Sequence, residues 1–164
     1  MNRMLSTWFG LGLLPKAPGT WGSGFPLAVV LGCSHFGCSP LVICITLVLL
    51  LIVSSIATLK TFDWYSNHFG THDPSAVVAD EVAGQSLALL GMAWLIPESQ
   101  VSIPTWIGLA VFSFMLFRVF DILKCGPIGK VQQLQRGAGV LLDDIIAGAV
   151  AGLITVILSL LLIQ

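Results

Sequence analysis

Charge is scarce in this chain, and it is not scattered. Of 164 residues, seven are Lys or Arg and eight are Asp or Glu. When the apolar runs are threaded through a bilayer, fourteen of these fifteen fall on one side, Glu98 being the exception. The acids do not sit out in loops: Asp80, Glu81, Asp121, Asp143 and Asp144 lie at or just inside the ends of apolar segments. Ionisable groups at membrane depth are expensive and face a functional interior rather than lipid. Five carboxylates converging on one face, with Arg118 and Lys124 among them, point to a cation-and-phosphate site at a membrane surface.

A chain that is 56% hydrophobic and 9% charged cannot be an ordinary soluble domain, in which about a quarter of residues are charged. Five apolar segments are expected: Gly22 to Gly32, Pro40 to Leu59, Asp80 to Ile96, Ile103 to Leu123 and Val140 to Ile163. The second, fourth and fifth have the ~20 residues that a spanning helix needs. The third is slightly short and starts on two carboxylates, at headgroup level. The first is too short to span alone unless extended, tilted or partly re-entrant. The fold class expected is therefore an all-α membrane bundle of about five helices, forming one domain over residues 1–164. The net charge of −1 excludes nucleic acid as a partner. No cleavable signal is expected, because the apolar start at Trp8 to Leu14 runs into Pro15-Lys16-Ala17-Pro18 without a cleavage pattern.

Orientation follows from the positive-inside bias. With a cytoplasmic N-terminus and five crossings, Arg3, Lys16, Lys60, Arg118, Lys124, Lys130 and Arg136 all lie inside. A re-entrant first segment would swap every later loop and break the bias. The inner loops carry their own order. Phe62, Trp64, Tyr65 and Phe69 suit the headgroup region. Ile128, Val131 and Leu134 fall at helical spacing, predicting a short interfacial helix over Pro127 to Gln135.

Three clusters carry possible chemistry. Asp80-Glu81 opens the third segment, where the helix dipole alone would favour acids, but Val82, Ala83 and Gly84 follow and allow close approach of another helix around a divalent cation. Asp143-Asp144 lies three apolar residues inside the last segment, roughly 5 Å in, with Ala147, Gly148, Ala151 and Gly152 offering a small-residue packing face. Arg118, Asp121 and Lys124, spaced by three, share one broad face at the end of the fourth segment. They form either an intrahelical ion pair with snorkelling cations or a phosphate clamp, with Arg118 as a planar fork and Lys124 as a point charge.

The remaining polar features are weaker. The run from Leu14 to Gly24 lacks the Walker A ending, yet its glycines can form a backbone nest, with Lys16, Thr20 and Ser23 adding donors. His72-Asp73 precedes the first acidic pair and could handle protons. Cys33, Cys38, Cys44 and Cys125 form no CxxC motif, and a Cys33–Cys38 bridge, though sterically possible, is not expected. No Ser-His-Asp triad stands out. By elimination, a bound cation activating water or phosphate is the best local chemistry. An ion-coupled transporter or channel is the alternative, but transport sites lie near the midplane, whereas these acids gather at one face.

In order and spacing, the blocks Phe9-Gly10 through Pro18-Gly19-Thr20-x-Gly22-Ser23, His72-Asp73, Asp80-Glu81-Val82-x-Gly84, Phe117 to Lys124, Pro127-Ile128 and Gly139 to Gly148 resemble the bacterial phosphatidylglycerophosphatase A family over most of the chain. Departures from that pattern are Ala79 before the acidic pair, Cys125-Gly126, and Arg136-Gly137-Ala138. The resemblance implies a Mg²⁺-dependent phosphatase of the bacterial inner membrane, acting on phosphatidylglycerophosphate at the cytoplasmic face. It implies Asp80, Glu81, Asp143 and Asp144 as metal ligands, with Asp121 as a possible fifth member. Arg118, Lys124 and Lys16 would bind phosphate, and water would be the nucleophile, with one of the carboxylates taking its proton. Signatures of three other lipid-phosphate chemistries are absent: the Asp-Gly-x-x-Ala-Arg run, the Asp-x-Asp motif, and the lysine–arginine–histidine pattern of type-2 phosphatidic-acid phosphatases.

Overall fold

A computed structural model describes residues 1–96, 101–124, 131 and 137–162. All regular structure among them is helical: α1 (Asn2–Ser6), a 3₁₀ turn (Leu11–Leu13), α2 (Pro18–His35), α3 (Pro40–Phe69), α4 (Ala79–Leu95), α5 (Ile103–Leu123) and α6 (Gly137–Leu162). The interfacial helix expected over Pro127 to Gln135 lies outside the described residues, Val131 excepted.

Local chemistry sets the helix ends. Ser39 and Ser102 cap α3 and α5 by accepting from the backbone N–H of Val42 and Thr105, each with a proline in the first turn. Gly70 ends α3 in the left-handed conformation, which a residue without Cβ adopts at little cost. Lys124 ends α5 the same way, at φ 45°, although it carries a side chain.

Among the described residues three helices, α3, α5 and α6, are long and apolar enough to cross a membrane. At 30 residues, α3 is ~45 Å long and exceeds a ~30 Å hydrocarbon core. Residues 60–69, expected as an inner loop, continue this helix. The first apolar segment is also longer than expected, because α2 starts at Pro18 and runs for 18 residues. Cys33 and Cys38 are unbridged, and the Cys38 N–H donates to the Cys33 carbonyl across the turn.

The bundle is built around α4, which packs most extensively on α6 and α3 and also touches α2 and α5. Small residues make the α4–α6 approach possible. A Cβ on Gly148 would lie 2.1 Å from the Gly84 carbonyl oxygen, and one on Gly84 would lie 2.5 Å from the Asp144 carbonyl oxygen. Gly152 lies similarly against Ala88. Van der Waals packing between close backbones drives such pairs where no hydrophobic effect is available. This contact brings the start of α4 against the second turn of α6, and so the two acidic pairs together.

Candidate active site

Asp80 and Glu81 occupy the first turn of α4, and Asp144 faces them from α6. One carboxylate oxygen from each of the three lies within 4.8 Å of the others. Asp80 and Asp144 are each only 3% exposed. Asp80 Oδ1 and Glu81 Oε2 are buried without any hydrogen-bond partner. Buried charge that is neither paired nor hydrogen-bonded is costly, so this donor set fits a hard divalent cation, which takes oxygen ligands.

Asp143 turns away from this group. Its Oδ2 accepts from Lys124 Nζ at 2.8 Å, and its Oδ1 accepts from the Asp144 backbone N–H at 3.1 Å. Neighbours in a helix are ~100° apart, and here Asp144 faces the α4 acids while Asp143 faces Lys124. Lys124 also reaches Asp73 Oδ2 at 3.3 Å. Burial by itself would lower the Lys124 pKa, but the hydrogen bond and charge of Asp143, with Asp73 behind them, outweigh it and raise the pKa. The ammonium therefore stays charged. His72 is exposed and stacks on Phe62, 5.8 Å between ring centres.

Arg118 pairs with Asp121 through Nη1 on its own helix. Its fork also lies against the first turn of α2, where a Cβ on Gly19 would be 3.1 Å from both terminal nitrogens and 2.5 Å from Glu81 Oε1. With no Cβ at Gly19, the N-terminus of an 18-residue helix lies directly beside the side-chain ends of Glu81 and Arg118. Such an end favours anions. Ala17, which precedes it, is left-handed at φ 48°, turning the chain from exposed Lys16 into the helix. Thr20 is exposed at this start. Ser23 is not available as a donor, because it is fully buried and its hydroxyl donates to the Gly19 carbonyl at 2.7 Å.

Among the described residues the site holds six carboxylates (Asp73, Asp80, Glu81, Asp121, Asp143, Asp144) against two cations, Arg118 and Lys124. That surplus of negative charge again calls for a bound cation. Two polar residues not foreseen as site members are fully buried nearby with unpartnered side chains. Gln85 is one turn beyond Glu81, and Tyr65 lies on α3 within electrostatic reach of Asp80 and Asp73. A signal for Tyr65 was present: Ser54, Thr58, Thr61 and Tyr65 recur at steps of four and three, marking a buried polar stripe on α3.

The model of the phosphatidylglycerophosphatase A family matches residues 4–159, nearly the whole chain. The chain belongs to that family. It is 34% identical over 151 residues to phosphatidylglycerophosphatase A of Haemophilus influenzae, covering 90% of this chain and 82% of the relative. It is 29% identical over 149 residues to the Escherichia coli protein of that name, covering 90% and 77%. A Bacteroides thetaiotaomicron protein, provisionally named a phosphatidylinositol-3-phosphatase, is 32% identical over 150 residues, covering 88% and 85%. No solved structure matches. As a family member the chain is a phosphomonoester hydrolase.

Proposed function

We propose that this phosphatidylglycerophosphatase A family member removes the terminal phosphate of phosphatidylglycerophosphate, leaving phosphatidylglycerol and inorganic phosphate, with Mg²⁺ as cofactor. The observation that carries this reading is the group Asp80, Glu81 and Asp144, three clustered carboxylates, two of them with orphaned buried oxygens, set beside Arg118 and the start of α2. When bound, Mg²⁺ would offset the carboxylate charge and polarise a phosphoryl oxygen.

The chain's own residues supply the rest. Arg118 and Lys124 bind phosphate oxygens, the first as a fork and the second as a point charge. Lys16 and Thr20, exposed around the start of α2, are placed to meet the headgroup. A site carboxylate takes a proton from water as its oxygen attacks phosphorus; the P–O ester bond breaks, and the glycerol oxygen leaves and is protonated. Phosphomonoester hydrolysis is among the slowest uncatalysed reactions, so charge stabilisation of this kind must supply most of the acceleration.

We place the site at the cytoplasmic face of the bacterial inner membrane. The positive-inside bias supports this, as does the position of Asp73, Arg118 and Lys124 at one end of the bundle, while the opposite turn between α2 and α3 carries no Asp, Glu, Lys or Arg.

The deciding experiment assays purified protein for phosphate release from phosphatidylglycerophosphate, phosphatidylinositol-3-phosphate and phosphatidic acid, with Mg²⁺ or with chelator. The expected result is fastest release from phosphatidylglycerophosphate, lost on chelation and restored by Mg²⁺. Undiminished turnover in chelator would overturn the metal, and preference for the inositol lipid would overturn the substrate.

A further inference from the structure

Tyr65 is among the largest fully buried side chains of the bundle, and its hydroxyl has no hydrogen-bond partner. An unpaired hydroxyl away from water is costly, so a buried orphan of this kind marks a missing partner. The ring is fixed edge-on against Phe62, 5.3 Å between centres, and packs with Val77 just before α4. The acidic groups within its electrostatic reach are Asp80, a member of the buried carboxylate group, and Asp73, which pairs with Lys124. Asp80 Oδ1 is likewise buried and unpartnered. A donor and an acceptor therefore lie near one another, both in want of a partner, and are not bonded to each other.

We propose that the Tyr65 hydroxyl donates a hydrogen bond to a phosphate oxygen held at the Asp80–Glu81–Asp144 site. This deepens the phosphatase reading and rests on it. A phosphate bound both at the buried carboxylates, through a cation, and at Lys124 spans from Asp80 towards Asp73, and Val77, against which the Tyr65 ring packs, lies between those two acids in the chain. Asp73 and Asp80 on that side are acceptors, so the hydroxyl adds a donor for a phosphate oxygen beside Lys124. In a dry site such a donor acts on charge that grows as the ester bond breaks, and removing one costs ~10²–10³-fold in turnover in comparable oxyanion sites. Tyr65 is thereby assigned as a substrate-binding residue outside the acidic and basic set.

The test is Tyr65→Phe, which removes one oxygen and leaves the packing on Phe62 in place. Three quantities are compared with the parent: kcat/KM on phosphatidylglycerophosphate, binding of inorganic phosphate to Mn²⁺-loaded protein followed by the Mn²⁺ resonance signal, and Mn²⁺ affinity without phosphate. The proposal expects kcat/KM to fall at least tenfold, phosphate affinity to fall at least fivefold, and Mn²⁺ affinity to stay within twofold. A fall in lipid turnover with unchanged inorganic-phosphate binding would overturn it, as would parent-like values throughout. A matching loss of Mn²⁺ affinity would also overturn it, because the hydroxyl would then serve a carboxylate and not the phosphate. Phosphate binding is read without turnover, so a parent that binds phosphate but releases none from the lipid would count against the substrate reading alone.

Discussion

Two neighbouring helices invert the usual relation between apolarity and burial. α3 is 30 residues long, yet only nine are buried, and four of those, Ser54, Thr58, Thr61 and Tyr65, carry hydroxyls. Its exposed face is aliphatic: Ile45, Leu49, Ile52, Val53 and Ile56. α4 is only 17 residues long and buries eleven, including Asp80, Gln85 and Ser86. In water, burial would select the more apolar helix. In lipid there is no gain in removing Leu or Ile from hydrocarbon, so small and polar residues go inside and the aliphatic ones face out. α4 is thus held by close backbone approach, and the site is made of the residues that lipid rejects.

The largest effect should come from breaking that approach. Gly148→Ala places a Cβ 2.1 Å from the Gly84 carbonyl oxygen, which cannot move without displacing α4. Overpacking typically costs 1–3 kcal/mol and more against rigid backbone, so we expect a large drop in the detergent unfolding midpoint together with loss of activity. Gly91→Ala, on α4 and across from α6, is the control, because its Cβ meets Val156 at an ordinary 3.5 Å. Equal behaviour of the two variants would break the argument that proximity at Gly84 and Gly148 holds the bundle together.

Asp144→Asn should separate function from stability. It keeps the shape of the side chain but removes one of three clustered carboxylates. Turnover should fall at least a hundredfold and cation affinity with it, while the unfolding midpoint in chelator holds or rises. A large loss of stability in chelator would show that the cluster supports the fold without a cation.

What could be read from the sequence follows the same inversion. The apolar segments and the acids at their ends were legible because both report directly on the cost of burial in lipid. The boundaries were less so. Pro18-Gly19-Thr20, read as a nest ahead of a helix, is the first turn of α2, since proline is at home there. The aromatics of residues 60–69 masked the continuation of α3, because Tyr65 and Phe62 look like headgroup residues when considered alone. Asp80, Glu81 and Asp144 come together, but no pattern says which acid of Asp143-Asp144 faces α4; that depends on where Gly148 meets Gly84. Gly19 could not be singled out among the 17 glycines, because the side chains it lies against, Glu81 and Arg118, are 62 and 99 positions away.

The smallest effect concerns the aliphatic face of α3. Ile52 is 49% exposed, so in a bilayer its outer atoms touch acyl chains. Ile52→Ala removes contacts that lipid largely replaces, unlike truncation in a water-facing protein's core, where a cavity adds to the lost transfer energy. Activity should stay within twofold and the unfolding midpoint within a few degrees. Leu47, fully buried on the same helix against Trp106 and Met92, gives the contrast, because Leu47→Ala leaves a void that lipid cannot enter and should cost about 2–5 kcal/mol. If Ile52→Ala were as damaging as Leu47→Ala, that face would be pressed against protein and not lipid, and the side-by-side difference between α3 and α4 would need a second chain to explain it.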